Sequence, residues 1–198
     1  MTVDSAVLRI RNIIESETTA YLSNDELKEF IKMGVDEFIQ QYYMAFENTQ
    51  DSRDKLQDLV INADQAFIDG TAVDIGGMDG AVSGLEYGRF LSAYVKATPN
   101  VNVKVVQISD ISAYLNDPFN KADASNPVLY FKGGNIHSIG LTASTVVVVT
   151  YLQYTTDILK LNATTHEEVC QIAARKVLAT LGDPRYQMIQ AELTERRV

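Results

Sequence analysis

The chain begins with two runs of apolar residues that recur at helical spacing. The first run predicts an amphipathic helix whose buried side carries Val3, Val7, Ile10 and Ile14. The second predicts a longer helix, whose apolar positions are Leu27, Phe30, Ile31, Val35, Phe38, Ile39 and Tyr42. Ser23 stands three residues before Glu26, and this spacing predicts a capping box at the start of the second helix.

From about residue 61 to residue 163 the pattern changes to short β-branched and aromatic runs, separated by glycine and proline. The predicted strands are 90–95, 101–106, 127–132, 135–139 and 144–154. Gly133 and Gly134 predict a tight hairpin between the third and fourth of these strands. The glycine-rich stretch 70–84 predicts a hairpin or an extended loop.

The other predicted helices are marked by local polar residues and by one glycine. Asp51 is the predicted cap of a short third helix that carries Leu56, Leu59 and Val60, and Ser109 or Asp110 is that of a single turn before Asp117 and Pro118. A long helix is predicted to begin with a capping box, formed either by Thr164 and Glu167 or by Thr165 and Glu168. The last helix is predicted to begin with Asp183 as its cap and Pro184 as its first residue. The long helix is predicted to end at Gly182. Its predicted buried side carries Val169, Ile172, Ala173, Val177 and Leu181, and that of the last helix carries Tyr186, Ile189 and Leu193.

Helices, then strands, then helices predict an α+β fold, because an alternating βαβ order is absent from this succession. We expect N-terminal and C-terminal helices packed with a central antiparallel β region. The predicted organisation is a single domain over 1–198, with a helical part at 1–60, a β-rich part at 61–163 and C-terminal helices at 164–198. The glycine-rich loop at 70–84 falls within the β-rich part.

The charge of the chain narrows the classes of partner. The 198 residues carry a net charge of −9, of which −6 falls on residues 1–60. This balance argues against a protein that binds nucleic acid by neutralising phosphates, and against an anionic membrane surface as partner. No run of 18 consecutive apolar residues occurs, and the first residues lack the apolar core of a signal peptide, so no membrane partner is expected.

Residues able to perform catalysis are sparse. The two histidines, His137 and His166, lie far apart, and a zincin motif at His166 lacks the second histidine because Cys170 occupies that position. The glycines of 76–80 lack the lysine of a phosphate-binding loop, and the nearby aspartates lack the spacing of a calcium loop. Cys170 is predicted to be a buried structural thiol. We therefore expect no catalytic residue, no metal site and no cofactor.

Tyrosines and arginines are the candidate interface residues. Tyr42 and Tyr43 are either core residues of the second helix or an interface, where a tyrosine ring meets a wet edge. The acidic N-terminal helices are either an ordinary solvated surface or an oriented acidic face.

Four stretches occur in an order that resembles a known family. They are Tyr21–Ile39, with its capped helix; Ile111–Pro127, with Asn116, Asp117, Pro118 and Phe119; Thr145–Tyr154 followed by Thr165–Arg175; and Gly182–Gln187. In this order the chain resembles the neck and tail-adaptor ring proteins of tailed bacteriophages, most closely those of crAss-like podovirus-type phages. The similarity covers most of the chain, but the glycine-rich stretch 70–84 has no counterpart in it.

The resemblance implies a structural virion protein of the phage neck and tail, assembled in the bacterial cytoplasm. Such subunits form a homo-oligomeric ring, generally dodecameric, that links the portal protein to the adjacent neck or tail ring. DNA would pass through an acidic channel without specific binding. The C-terminal helix would dock on the neighbouring protein through Arg185, Tyr186, Arg196 and Arg197, and the loop 70–84 would reach a neighbouring ring.

Two other classes of function stay open. The chain could be a tail-completion or assembly-chaperone protein that works as a monomer or dimer. An enzyme is not expected, although a hydrolase that uses only two carboxylates would leave no cluster of histidine and cysteine in the sequence.

Overall fold

A computed structural model describes residues 1–14, 22–67, 72–74, 86–97, 99–116, 118–119, 121–132, 135–141, 145–183 and 185–195. The fold is α+β, as predicted. The chain divides into two compact units, one formed by Met1–Leu59 with Thr155–Val198 and the other by Val60–Tyr154. We call them the helical unit and the β unit. The first boundary lies one residue from the predicted end of the helical part.

In the part of the helical unit that the structure describes, there are five α-helices. They are α1 (Val3–Ile14), α2 (Asn24–Ala45), α3 (Gln50–Leu56), α5 (His166–Thr180) and α6 (Tyr186–Glu195). Short 3-10 turns at Gln57–Leu59, Ile158–Lys160 and Ala163–Thr165 extend the ends of these segments. Both predicted N-terminal helices are confirmed, and every predicted apolar position of α2 is buried except Phe30, which is half-buried.

The start of α2 is fixed by the predicted capping box. Ser23 Oγ accepts a hydrogen bond from the Glu26 amide at 3.2 Å, and Glu26 Oε2 accepts one from the Ser23 amide at 2.7 Å. The backbone bond to Ser23 lowers the pKa of Glu26, as expected for a carboxylate that accepts bonds at a helix N-terminus.

Helices α2 and α5 pack closely at Gly34. A Cβ on Gly34 would stand 3.1 Å from the Val169 carbonyl oxygen and 3.3 Å from Ala173 Cβ. A larger side chain would therefore push the two helices apart, because the nearest atom belongs to the backbone. Val169, Ile172, Ala173 and Val177 of α5 are buried, as predicted.

The predicted caps of α3 and α5 are wrong. The cap of α3 is Thr49, whose Oγ1 accepts from the Ser52 amide, and Asp51 lies in the first turn. Neither capping box forms at α5, because Thr165 caps it without a side-chain bond. The two glutamates instead bind distant residues: Glu167 pairs with Arg9 of α1 and Glu168 accepts from Tyr42 of α2.

Gly182 stops α5, as predicted, in the position just after the C-cap residue Leu181. Gly182 has φ +70, the Gly182 amide donates to Ala179 O at 3.2 Å, and the Asp183 amide donates to Leu178 O at 2.9 Å. This is the Schellman arrangement, which satisfies the last carbonyls of a helix. Leu181 was predicted to be buried, but it is the C-cap residue and is 41% exposed.

Over its described residues, the β unit contains two four-stranded sheets and one α-helix. The strands are β1 (Val60–Phe67), β2 (Ala72–Asp74), β3 (Glu86–Val95), β4 (Val101–Asn102), β5 (Lys104–Val106), β6 (Val128–Lys132), β7 (Asn135–Ile139) and β8 (Thr145–Tyr154), and α4 spans Ile111–Asn116. The strand orders are β1-β8-β3-β4 and β2-β7-β6-β5. The five predicted strand regions are confirmed, with the region 101–106 divided into β4 and β5.

The predicted hairpin is confirmed by the antiparallel pairing of β6 and β7, in which Lys132 faces Asn135. Gly133 and Gly134 lie outside the described residues, as does the glycine-rich stretch 70–84 except for the short strand β2. The predicted single turn is present as Ile108–Asp110 followed by α4, but Gln107 precedes it without a side-chain cap, so neither Ser109 nor Asp110 caps it.

Two strand features differ from the prediction. Val60 was assigned to the third helix but begins β1, which pairs along its whole length with β8. The β region is not wholly antiparallel, because β5 and β6 pair in parallel. Parallel strands need a crossover connection, and the chain between Val106 and Val128 provides it with α4.

The two sheets share one apolar core. Its buried residues are Ala63, Ala93, Val95, Leu129, Ile136, Leu141, Val147, Val149 and Tyr151. Phe90 of β3 and Phe131 of β6 meet edge to face with ring centroids 5.6 Å apart. Burial of these apolar side chains between the two sheets therefore holds the sheets together.

Candidate interface residues and the buried polar cluster

Tyr42 lies on the buried side of α2. Its side chain is 8% exposed, and its ring centroid is 4.7 Å from that of Phe38. The Tyr42 hydroxyl donates to Glu168 Oε1 at 2.6 Å. The structure therefore places Tyr42 in the core of the helical unit. Tyr43 is half-buried.

Lys55 completes a polar cluster with Tyr42 and Glu168. Its Nζ donates to the Tyr42 hydroxyl at 2.7 Å, and lies 3.1 Å from Asp51 Oδ2 and 3.4 Å from Glu168 Oε2. It also stands 4.3 Å from the centroid of the Tyr42 ring, within the range of a cation–π contact. One ammonium group thus joins α2, α3 and α5.

The protonation states of this cluster suit a structural role. Burial, and then the bond to Glu168, raise the pKa of Tyr42, so its hydroxyl keeps its proton at neutral pH. Burial opposes the charge of Lys55, but the bonds to Tyr42 and Asp51 outweigh it and raise the pKa of Lys55. In these states the Lys55 ammonium and the Tyr42 hydroxyl both act as hydrogen-bond donors, and their bonds link α2, α3 and α5.

A second cluster joins α6 to the rest of the helical unit. Arg175 of α5 binds Glu37 of α2 on one side and the Gln190 amide oxygen of α6 on the other. Lys176 Nζ lies 2.7 Å from Glu37 Oε2. Burial raises the pKa of Glu37, but the bonds from Lys176 and Arg175 outweigh it and hold this pKa below its usual value. Since Leu193 of α6 is also 1% exposed, α6 is an integral part of the unit.

Arg185 is engaged within its own segment. Its Nε lies 3.1 Å from Asp183 Oδ1 and its Nη2 2.7 Å from Asp183 Oδ2, which is a bidentate pair. The bonds from Arg185 lower the pKa of Asp183. Tyr186 begins α6, and its side chain lies outside the described residues, as do Arg196 and Arg197. The structure therefore describes the side chains of three of the six candidate interface residues, Tyr42, Tyr43 and Arg185.

The sequence analysis missed Lys55, Glu168 and Arg175 as members of buried clusters. A signal was present: Glu168, Ile172 and Arg175 recur at i, i+4 and i+7, so they share one side of α5. A charged residue on the same helix side as a buried isoleucine needs a polar partner. On α2, Tyr42 is the partner of Glu168 and Glu37 is the partner of Arg175.

His166 is buried in the first turn of α5, with Nε2 3.1 Å from Leu161 O. Among the described residues, no group of three His, Cys, Asp or Glu side chains is placed to hold a metal ion. In the same part of the chain, no helix is long and apolar enough to cross a membrane.

Cys170 is fully buried, as predicted, and burial raises the pKa of its thiol to about 11. We expect this thiol to react with a disulfide reagent at about pH 8 only when the helical unit opens, because the thiolate is the reactive form. Labelling followed by mass spectrometry should find the native chain unmodified and the guanidinium-unfolded chain fully modified. Labelling of the native chain at the rate of a free thiol would contradict the burial.

Comparison with known proteins adds no relative: no protein-family model and no curated protein matches this chain.

Proposed function

We propose that this chain is a structural virion protein, a subunit of a ring in the neck of a tailed bacteriophage. In this proposal the ring joins the portal to the tail and leaves a channel through which DNA passes. The observation that carries the proposal is the order of the four stretches that resemble neck and tail-adaptor proteins. A ring of this kind acts through shape and charge, so it requires none of the catalytic groups that the sequence lacks.

The positions of the four stretches support the proposal. The first contains the capping box and most of α2, and the second contains α4 and the turn at Pro118 and Phe119. The third corresponds to β8 and the first ten residues of α5, and the fourth to the Schellman end of α5 and the start of α6. Each stretch therefore includes the start or the end of a helix or strand.

The net charge of −9 gives the proposed channel its mechanism. Carboxylates that face DNA repel its phosphates over about one Debye length, which is about 10 Å at 0.1 M salt. A repulsive wall keeps the duplex from adhering while it slides. Subunits would meet through heterologous contacts, which close into a ring when the rotation between neighbours allows it.

Docking through the C-terminus is proposed to rest mainly on Arg196 and Arg197. Arg185 already forms a bidentate pair with Asp183, and docking through it would have to break that pair. The whole of α6 is not a suitable deletion, since Leu193 is buried and Gln190 binds Arg175. A smaller change is therefore needed to separate docking from folding.

We expect the double variant Arg196→Ala and Arg197→Ala to lose most of its binding to the portal or the adjoining ring protein, with an unchanged melting temperature. The double variant Lys28→Ala and Lys32→Ala removes the same charge from the surface of α2 and should bind normally. Co-sedimentation with the portal measures the binding. Equal binding by both double variants would contradict the docking role.

Native mass measurement and electron microscopy at high protein concentration, with and without portal, test the ring itself. A ring-sized species supports the proposal. A monomer or dimer under all these conditions would contradict it and favour a tail-completion or chaperone-like protein.

A further inference from the structure

The turn between α5 and α6 has the features of a pivot. Gly182 has φ +70, and among the described residues no atom beyond its chain neighbours lies within 4 Å of the position that a Cβ would take. Leu181, just before it, is 41% exposed. Asp183 Oδ2 accepts from Arg185 Nη2 at 2.7 Å, so this charged pair is complete within the turn. The backbone at Gly182 can therefore adopt other angles, and the pair of Asp183 with Arg185 does not have to break.

The apolar attachment of α6 is small beside that of α1, the other terminal helix of the chain. Four apolar side chains of α1 are each at most 3% exposed: Ala6, Val7, Ile10 and Ile14. Among the described side chains of α6, Leu193 is 1% exposed and Ile189 is half-buried, whereas Met188 is 73% exposed. A helix of 10 residues is marginal in water by itself, so α6 stays helical mainly because it is docked. Undocking and unwinding of α6 are therefore coupled.

The polar attachment of α6 is a bond from a charged group to a neutral amide. Arg175 of α5 donates from Nη1 to the side-chain oxygen of Gln190 on α6 and from Nη2 to Glu37 on α2. Glu37 is held in turn by Lys176, whose Nζ lies 2.7 Å from Glu37 Oε2. Departure of α6 breaks the bond to Gln190 but leaves both ion pairs of Glu37 in place. It therefore leaves Arg175 with its carboxylate partner, and the large cost of an unpaired buried charge does not arise.

We propose that α6 is a strap that opens from the helical unit as one piece, pivots at Gly182 and closes again, while α1, α2 and α5 stay folded. Arg175 is the catch of this strap, because it binds Gln190 only when α6 is closed and is fixed by Glu37 in both states. Burial of Leu193 supplies the apolar part of the closing energy. Opening uncovers the part of α5 on which α6 packs.

The strap gives the chain end a conformational control. It ends at Glu195, immediately before Arg196 and Arg197, to which the proposed function assigns docking. Ten helical residues span about 15 Å, so closing the strap fixes where this end of the chain begins, and opening releases it over a distance of that order. A partner that binds one of the two states more tightly shifts the strap toward that state.

Native-state amide hydrogen exchange tests the strap, followed by NMR on the full chain at low concentrations of urea. The amides of 190–195 should exchange about a hundredfold faster than the slowest amides of α1, with a smaller dependence on urea, because opening α6 exposes less surface than global unfolding. Exchange of 190–195 with the free energy and urea dependence of α1 would overturn the strap. A protection that falls steadily toward Glu195 would also overturn it, since that is fraying rather than opening as one piece.

Two core variants show whether α6 opens separately from α1. Leu193→Ala should speed the exchange of 190–195 about a hundredfold, because its contact is lost when the strap opens. Val7→Ala removes a buried contact of α1 that the open strap keeps. It should speed the slowest amides of α1 about tenfold and leave 190–195 unchanged. If Val7→Ala speeds 190–195 as much as it speeds α1, α6 opens only when the whole unit unfolds, and the strap is overturned.

A pair of glutamine variants tests the catch. Gln190→Ala removes the acceptor of Arg175 and should speed the exchange of 190–195 about fivefold, although alanine favours the helix more than glutamine does. Gln187→Ala makes the same replacement at an exposed glutamine one turn earlier in α6, outside the catch, and should not speed it. Equal exchange in the two variants would overturn the role of Arg175 as the catch.

The strap and the ring are tested separately, because hydrogen exchange is measured on the isolated chain and requires neither portal nor ring. Exchange of α6 together with α1 overturns the strap and leaves the ring standing. Separate exchange of 190–195 supports the strap even if no ring-sized species forms.

Discussion

The Gly140→Ala variant is expected to lose about 3 kcal/mol of unfolding free energy, because two effects add at this position. Gly140 has φ +85, which L side chains rarely adopt. A Cβ there would also stand 2.6 Å from the Asp123 amide nitrogen and 2.8 Å from the Asp123 carbonyl oxygen. Both neighbours are backbone atoms, so no rotation of a side chain relieves the overlap.

Gly182→Ala is the matched control. Gly182 also has a positive φ, of +70, but nothing lies within 4 Å of the Cβ that alanine would add. Only the conformational cost remains, about 1 kcal/mol. Urea unfolding monitored by circular dichroism measures both variants. Equal losses would show that the approach of Asp123 to Gly140 is unimportant for stability.

The second large effect is expected from Glu168→Ala, at about 2 kcal/mol, because the Tyr42 hydroxyl loses its buried acceptor and Lys55 keeps only Asp51 as a carboxylate partner. The Glu168 side chain is only 11% exposed. The adjacent Glu167 pairs with Arg9 at 2.6 Å, but these side chains are 37% and 47% exposed. Glu167→Ala should therefore lose at most about 1 kcal/mol.

A combined variant separates the cluster from its parts. Glu168→Leu with Lys55→Met and Tyr42→Phe replaces the whole cluster by apolar side chains, and it should recover most of the stability lost in Glu168→Ala. The midpoint of urea unfolding is the measurement. If the combined variant is less stable than Glu168→Ala, the bonds within the cluster stabilise the fold themselves, beyond preventing a buried group from losing its partner.

The local features of this fold were predictable from sequence. The stripes of α1 and α2 follow from helical spacing, and the Ser23–Glu26 box is complete within four residues. The same motif at Thr165 and Glu168 failed, because Tyr42 and Lys55 lie more than a hundred residues away along the chain and bind that carboxylate instead. A sequence pattern identifies a possible local bond but not a distant partner that competes for the same group.

Strand pairing and interface residues were harder to predict from the sequence, because both depend on residues that are distant along the chain. The strand 104–106 is visible in the sequence, but its parallel pairing with β6 depends on the path of the chain through α4. The sequence left open whether Tyr42 lies in the core or at an interface, because the packing of α5 against α2 is not visible in it. The bidentate bond of Arg185 to Asp183 was missed although it spans only two residues, because Asp183 was assigned to a helix cap.

The first and last strands of the β unit, β1 and β8, are neighbours in one sheet, with Val60 opposite Leu152. The chain therefore enters and leaves this unit at points about one strand spacing apart, which is about 4.8 Å. A module with adjacent ends can be enlarged, exchanged or lost during evolution without disturbing the segments that flank it. Replacement of the β unit by another module with adjacent ends is thus expected to leave the helical unit folded.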